Sequence, residues 1–374
     1  MASTLPSASG TRITLLLPSL AGGGAERVFL TLLQHLDRQR FAPELVLLNG
    51  GPPEHDAALP ADIPVTALER PRAREAPLAL LAHLRRARPA AVVTTLGHMN
   101  LLLATLRPVL PKRMKLIGRE TNMVSEAIAA GFMPRWMGQA YRFGLPGLDH
   151  LVCQSAMMRA DLVDHFGFPG ARASVIPNPV DLEVAQQAAR ESPWSAAKGG
   201  LRLVAAGRLE RIKGFDLLVD ALERCGDLPL TLEIHGEGPE RETLQRHIDA
   251  AGLQERVRLR GFTPALQPWL AAADGFVLSS RVDSFPNAAI EALACGTPVI
   301  AVPAPGGIRE IIADVPGCEL ADAVSAEALA AALRRWAARG PQRVGPEAVA
   351  RYEVGQVVRQ YEAVIESVIR SPRR

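Results

Sequence analysis

Short apolar runs recur along the chain, each bounded by glycine, proline or polar residues. In the first half they are residues 12–18 (RITLLLP), 43–48 (PELVLL), 90–96 (AAVVTTL), 114–118 (MKLIG), 150–154 (HLVCQ) and 173–177 (ASVIP). Their length and their content of Val, Ile and Leu read as strands buried on both faces. The first run leads into a helical pattern at about 25–37. Strands alternating with helices of this length predict βαβ units and a parallel sheet. A polar stretch at 178–200 (NPVDLEVAQQAARESPWSAAKGG) interrupts the pattern, which then restarts. Strands are expected at 201–206, 229–235, 256–260, 275–279 and 298–302, with helices at about 215–225, 239–252, 264–273 and 286–295. Residues 347–369 carry the spacing of an amphipathic helix. The pattern gives an α/β chain of two domains with a boundary near 180–200.

A length of 374 residues agrees with two domains, each long enough to bury its own core. Aromatic residues are only 5% of the chain, so the core is expected to be aliphatic. The net charge of +3 is uneven: by count, residues 1–180 carry about +6 and the rest about −3. The basic residues do not form blocks interleaved with aromatics, which argues against nucleic-acid binding. An anionic substrate and an anionic membrane surface both remain open. The four cysteines, Cys153, Cys225, Cys295 and Cys318, show no paired spacing and read as reduced thiols of a cytoplasmic protein. The first residues, MASTLPSASGTR, lack the apolar core of a signal peptide, and no apolar run reaches membrane-spanning length. Any membrane contact is therefore expected to be peripheral.

Three segments carry candidate chemistry. Residues 18–27 (PSLAGGGAER) follow the first strand and open the first helix. Gly22, Gly23 and Gly24 let backbone N–H groups and the helix dipole approach an anion; a tight strand-to-helix turn explains them equally. The pattern is neither a dinucleotide fingerprint nor a Walker loop. Residues 207–214 (GRLERIKG) set Arg208 and Lys213 in a loop after a strand, a fork and a point charge suited to a diphosphate. Residues 281–291 (RVDSFPNAAIE) put Asp283 in a loop and Glu291 about one turn into a helix that is otherwise apolar. A carboxylate on a buried face needs partners, and ribose hydroxyls, a cap or a salt bridge would each serve. Phe285, Pro286 and Asn287 open that helix, where free N–H groups can meet a phosphate.

GRLERIKG at 207–214, HGEGPER at 235–241, LRGF at 259–262, LSSRVDSFPNAAIEALACGTPVIA at 278–301 and GGIREII at 306–312 occur in this order. Together with AGGGAERV at 21–28 and IPNPVD at 176–181, they resemble the family 4 glycosyltransferases of the GT-B fold. Only about 50–150 carries little of the resemblance. It implies two Rossmann-like domains facing a cleft, with a C-terminal helix returning to the first. The expected boundaries are 1–185 for an acceptor-binding domain, 186–355 for a nucleotide-sugar-binding domain and 356–374 for the returning helix.

The resemblance further implies that Arg208 and Lys213 neutralise the donor diphosphate as the glycosidic bond breaks. Glu291 would accept hydrogen bonds from the ribose. Gly207 permits the turn after the strand, Ser284, Phe285, Pro286, Asn287 and Ala288 would hold phosphate or sugar, Gly261 and Phe262 would border the base, and Gly23 and Gly24 would close over the donor. The chain departs from the family in two ways. Asp283 stands where the family has Glu, one methylene shorter. Many relatives carry a His in the loop after the strand at 114–118, where this chain has RETNM. Arg119, Glu120 or Asn122 would serve instead, and His98 in TLGHMN is a second candidate. The family retains anomeric configuration, by same-face attack or by double displacement. It uses no metal, and no metal-ligand spacing occurs here; no cofactor is expected beyond the nucleotide sugar as co-substrate.

The expected activity is transfer of a hexose or N-acetylhexosamine from a nucleotide sugar, UDP favoured, to a glycan or polyprenyl- or lipid-linked acceptor in envelope polysaccharide or lipopolysaccharide assembly. The alternatives are a GDP-mannose-dependent mannosyltransferase and a non-catalytic nucleotide-sugar-binding protein; a 2-epimerase shares the fold but fits these patterns less well. Residues 107–119 hold five cations and no acid. Residues 132–142 (FMPRWMGQAYR) set Phe132, Met133, Trp136, Met137, Ala140 and Tyr141 on one helical face and Arg135, Gln139 and Arg142 on the other. Such a helix suits a membrane interface or a core-facing position.

Overall fold

A computed structural model of the chain describes residues 10–20, 23–50, 59–188 and 200–372. The expected linker at 178–200 therefore lies outside the described residues from 189 to 199. The chain divides into two compact units, Met1–Pro179 with Val354–Arg374, and Val180–Glu353. The unit boundaries thus fall at 179/180 and 353/354 rather than at 185/186 and 355/356.

The first unit holds strands β1 (Thr11–Leu17), β2 (Phe41–Leu47), β3 (Val65–Ala67), β4 (Ala91–Thr95), β5 (Lys115–Arg119), β6 (His150–Cys153) and β7 (Ala173–Val175). They form one seven-stranded sheet in the order β3-β2-β1-β4-β5-β6-β7. The second unit holds β8 (Leu201–Ala206), β9 (Leu230–His235), β10 (Val257–Gly261), β11 (Gly275–Leu278), β12 (Val299–Ala301) and β13 (Glu319–Leu320), in a six-stranded sheet ordered β10-β9-β8-β11-β12-β13. Every neighbouring pair in both sheets is parallel. The central strands β4 and β5 are buried along their whole length, as parallel strands covered on both faces must be. The edge strands β3 and β13 are too short to leave a run the sequence pattern detects.

Pro77–Ala87, Gly97–Thr105, Ala156–Asp164 and Ala326–Arg339 all form helices that were not anticipated individually. Two of them begin at a serine cap: Ser155 Oγ accepts from Met158 N at 3.1 Å and Ser325 Oγ from Ala328 N at 3.2 Å. The helix expected over 347–369 is broken. A 3-10 turn at Pro346–Tyr352 ends at Glu353, whose φ of −58° and ψ of 137° are not helical, and an α-helix follows at Val354–Arg370. Val349 and Tyr352 pack in the core of the second unit. Val357, Val358, Tyr361, Ile365 and Val368 pack in the core of the first. Glu362 adds two polar ties to the first unit, accepting from Asp37 N at 2.8 Å and from Arg40 Nη1 at 2.7 Å. One amphipathic pattern thus serves two cores, and the break at Glu353 separates them.

Because Ile365 is 2% exposed among these residues, Ile365→Ala should lower unfolding free energy by about 2–4 kcal/mol through lost burial and a residual cavity. Urea unfolding monitored by circular dichroism measures this; an unchanged midpoint would show that the terminal helix adds nothing to the first unit.

Candidate functional site

The second sheet reverses its strand order between β8 and β11. Right-handed crossovers to either side then lie on opposite faces of the sheet. A crevice opens beyond the carboxyl ends of the strands at such a point, and open α/β sheets bind ligands there. The loops flanking it are GRLERIKG, after β8, and SSRVDSFPN, after β11. Lys213 Nζ lies 2.7 Å from Asp283 Oδ2. Ser280 Oγ donates to the same carboxylate oxygen at 3.0 Å, and Ser279 Oγ to the Lys213 carbonyl at 3.0 Å. The Asp283 side chain is 10% exposed and that of Lys213 29%. The pair is partly desolvated, with the cation as its more open member.

Backbone contacts fix this meeting. Gly214 has φ +64°, and a Cβ there would stand 2.1 Å from the Ser279 carbonyl oxygen. Gly306 has φ +130°, and a Cβ there would stand 1.9 Å from the Asp283 carbonyl oxygen. Only glycine fits either position. Asp283 N donates to Pro305 O at 3.1 Å and Gly307 N to Ser284 O at 2.9 Å, so the loop after β12 holds the loop after β11. The sequence offered Asp283 as a shortened stand-in for a glutamate. The structure gives its carboxylate a partner, Lys213, that spacing could not reveal. Ser279, Ser280 and Gly306 were not singled out either; the paired glycines of GGIREII were the one visible signal.

The other residues expected here lie around the same edge of the sheet. The Arg208 side chain is 70% exposed, with Nη1 3.2 Å from Glu210 Oε1. Gly207 N donates to His235 O at 3.0 Å, and Gly236 N to Gly261 O at 2.8 Å. Phe262, next after β10, is 74% exposed. Phe285 turns inward, edge-on to Tyr352 with ring centroids 6.0 Å apart. That leaves backbone rather than ring at the mouth of the helix Asn287–Ala294, for which Pro286 is the cap and which Ser284 precedes. Asn287, Ala288 and Glu291 are half-buried, whereas Ala289, Ile290, Ala292 and Leu293 are buried. Glu291 therefore stands at the border of the apolar face rather than within it. His235 is pushed down to about 4 by burial and is neutral near pH 7. Its Nδ1 lies 2.7 Å from Thr263 Oγ1.

The first sheet reverses between β1 and β4. The glycine-rich turn follows β1, and LGHMN follows β4. Gly22 lies outside the described residues. Gly23 is the extended cap, φ −95° and ψ 165°, and Gly24 the first residue of the helix Gly24–His35. His98, exposed, is the second residue of the helix Gly97–Thr105. Partial desolvation lowers its pKa from 6.5, and the nearby Glu26 carboxylate opposes that.

The loop after β5 is built differently. Glu120 is completely buried. Its Oε1 accepts from the N–H of Thr121 at 2.9 Å and of Asn122 at 3.1 Å. Its Oε2 accepts from Tyr141 Oη at 3.1 Å and Asn100 Nδ2 at 3.3 Å. Burial raises its pKa and these bonds pull it back. Arg119 is buried too, donating to Thr95 Oγ1 at 2.9 Å and to Asn178 Oδ1. Asn122 places its amide on Glu120 Oε1 at 3.4 Å. These residues organise the loop from within, and His98 is the exposed candidate of the group.

The helix expected across 132–142 begins only at Trp136 and runs to Gly144. Tyr141, on the apolar face, takes the core-facing of the two positions the sequence leaves open: it is buried, and its hydroxyl donates to Glu120. The outward apolar residues are Phe132 (39% exposed), Trp136 (66%) and Phe143 (77%), beside exposed Arg135 and Arg142. No helix among the described residues is long and apolar enough to cross a membrane. No group of three His, Cys, Asp or Glu among them is arranged to hold a metal ion.

Two family models match. The one described as Glycosyltransferase Family 4 covers residues 22–184, and the one described as Glycosyl transferases group 1 covers residues 200–339. The chain is 35% identical over 179 residues to a D-inositol 3-phosphate glycosyltransferase of Paenarthrobacter aurescens, a match spanning 45% of this chain and 44% of that protein. The aligned region is thus less than half the length of that relative. A Campylobacter jejuni N-acetylgalactosamine-N,N'-diacetylbacillosaminyl-diphospho-undecaprenol 4-alpha-N-acetylgalactosaminyltransferase is 26% identical over 81% of this chain and 84% of its own. Among solved structures, Anabaena HepE in complex with UDP superposes with a TM-score of 0.76 at 19% identity, over 96% of this chain and 100% of that one. This shows the GT-B fold.

The burial of Glu120 has a measurable sign. Its folded pKa is raised from 4.5, so the folded chain holds that proton more tightly than the unfolded one. The resulting stability is full below the unfolded pKa and is lost as pH rises through the folded value. Glu120→Gln should flatten that part of the stability–pH curve in urea titrations at stepped pH. A curve parallel to the parent's would show that Glu120 titrates as an ordinary carboxyl.

Proposed function

The chain belongs to the family 4, group 1 glycosyltransferases, and on that premise we propose that it is a retaining hexosyl- or N-acetylhexosaminyltransferase. It takes its sugar from a UDP-sugar and passes it to a glycan or lipid-linked acceptor in envelope polysaccharide or glycolipid assembly. The observation that carries this reading is the Lys213 ammonium at the strand reversal of the second sheet, held by Asp283 at 2.7 Å. Negative charge grows on the nucleoside diphosphate as the glycosidic bond breaks. A cation fixed at the leaving group then stabilises the transition state more than the ground state. Asp283 holds the Lys213 ammonium in place before the donor arrives, and Arg208 on the same loop adds an exposed second cation. Glu291, half-buried one turn into its helix, accepts from the ribose hydroxyls, and exposed Phe262 covers the base. In the first unit, His98 is the residue assigned to a sugar hydroxyl.

UDP is favoured by the ligand of the Anabaena structure. A lipid-linked acceptor is favoured by the name of the Campylobacter relative, which carries undecaprenol through a diphosphate. Such an acceptor brings the enzyme to a membrane surface, where the exposed Phe132, Trp136 and Phe143 beside Arg135 and Arg142 suit an anionic interface.

UDP should raise the melting temperature more than GDP or ADP does, by mass action on the folded state, and Glu291→Ala should remove that shift. Absence of a shift with every nucleotide would remove the donor site from this reading. Lys213→Ala should slow transfer about 10²–10³-fold, mainly in kcat, as loss of a group that acts in the transition state does; a change confined to KM would contradict that role. In liposome flotation on anionic vesicles, Trp136→Ser with Arg135→Glu should bind less than the parent, and equal binding would exclude this face as the membrane contact.

A further inference from the structure

The opposite edge of the first sheet holds a cavity of about 810 Å³. It opens at the amino ends of the strands: Lys115 is the first residue of β5, His150 the first of β6, and Arg172 directly precedes β7. A five-residue strand spans about 16 Å, so this cavity is well separated from the carboxyl ends where Glu120 and the glycine-rich turn lie. Its volume falls within the range of about 300–1,000 Å³ typical of small-molecule sites.

The charges on its lining are one-sided. Among the described lining residues, Arg107, Lys112, Lys115 and Arg172 face a single carboxylate, Asp149. The cations are fixed largely by carbonyl oxygens. Arg107 donates to Pro111 O at 2.7 Å and Met114 O at 2.8 Å, with Asp149 Oδ2 at 3.4 Å. Arg172 donates to Pro146 O at 3.0 Å and Asp149 O at 3.2 Å. Lys115 is 5% exposed, and its Nζ donates to Ser371 O at 2.7 Å. Among the described residues, that buried ammonium has no carboxylate within ion-pair distance. The Ser371 carbonyl, with its hydroxyl at 3.5 Å, accepts from the ammonium but leaves its charge, and a buried charge without a counter-ion is costly. An anion in the cavity would supply what the described residues do not.

We infer that this cavity is a second anion site, taking a phosphate-bearing ligand, a diphosphate or a phosphomonoester, free in solution or as a lipid headgroup. The site is independent of the donor residues. It ties the last described turn of the chain, at Ser371, to the start of β5 through Lys115.

Calorimetric titration of the full chain with inorganic pyrophosphate, up to about 10 mM so that even millimolar affinity registers, provides the soluble arm. Flotation with phosphatidylcholine vesicles, with and without phosphatidic acid, provides the headgroup arm. Lys112→Glu reverses an exposed lining charge, and Arg113→Glu reverses its exposed neighbour, which does not line the cavity. Lys213→Ala removes the cation of the second unit. The expected result is binding in at least one arm that falls about tenfold in Lys112→Glu, as loss of a charge-assisted contact does, and survives in Arg113→Glu and Lys213→Ala. Lys115→Met, if its circular dichroism is native, should abolish it. Binding that is unchanged in Lys112→Glu, binding lost only in Lys213→Ala, or no binding in either arm would each overturn the inference.

Discussion

Everything assigned to the second unit depends on one topological constraint, the reversal of strand order between β8 and β11. An all-parallel sheet needs a crossover for each added strand, and crossovers of one hand on either side of the reversal go to opposite faces. The two loops at that point therefore part from each other, and the space between them stays open. Here it is narrowed from beneath by backbone contacts so close that a Cβ at Gly214 or Gly306 would overlap a carbonyl oxygen. Those contacts bring a lysine from one loop and an aspartate from the other to 2.7 Å. The ion pair follows from the topology and could not form from either loop alone.

The same constraint acts in the first sheet at β1 and β4, with a different outcome. The neighbouring loop after β5 is consolidated by a network in which Glu120 accepts five hydrogen bonds of 2.9–3.4 Å. Arg119 is held by Thr95 and Asn178 in the same way. Such networks rigidify a loop when their members are paired. In the proposed reading this leaves His98, on the helix Gly97–Thr105, to meet substrate, while the charged groups after β5 face inward.

Much of this was legible in the sequence, for physical reasons that differ between elements. Central strands such as 90–96 were visible because parallel strands buried on both faces must be unbroken apolar runs. The helix Val354–Arg370 was visible because its apolar residues lie on one face, but its start was not. Val349 and Tyr352 continue the apolar pattern while packing in the core of the other unit. Lys213 and Asp283 were visible as charges in loops after strands, yet their pairing depends on strand order, which no local pattern encodes. Glu120 was one of three candidates to stand in for the family's first-domain His, and its burial was not visible in the loop sequence. The partners that bury it, Tyr141 and Asn100, lie on helices elsewhere in the chain.

The central claim is that Lys213 recognises a nucleoside diphosphate through its phosphates. The most direct measurement is the ratio of affinities for UDP and uridine by isothermal titration calorimetry, in the parent and in Lys213→Ala. The account predicts that the parent prefers UDP strongly, and that the variant loses most of that preference while its affinity for uridine is unchanged, because only the charge-assisted contact to phosphate has gone. Equal loss of affinity for both ligands, or an undiminished preference for UDP, would contradict it.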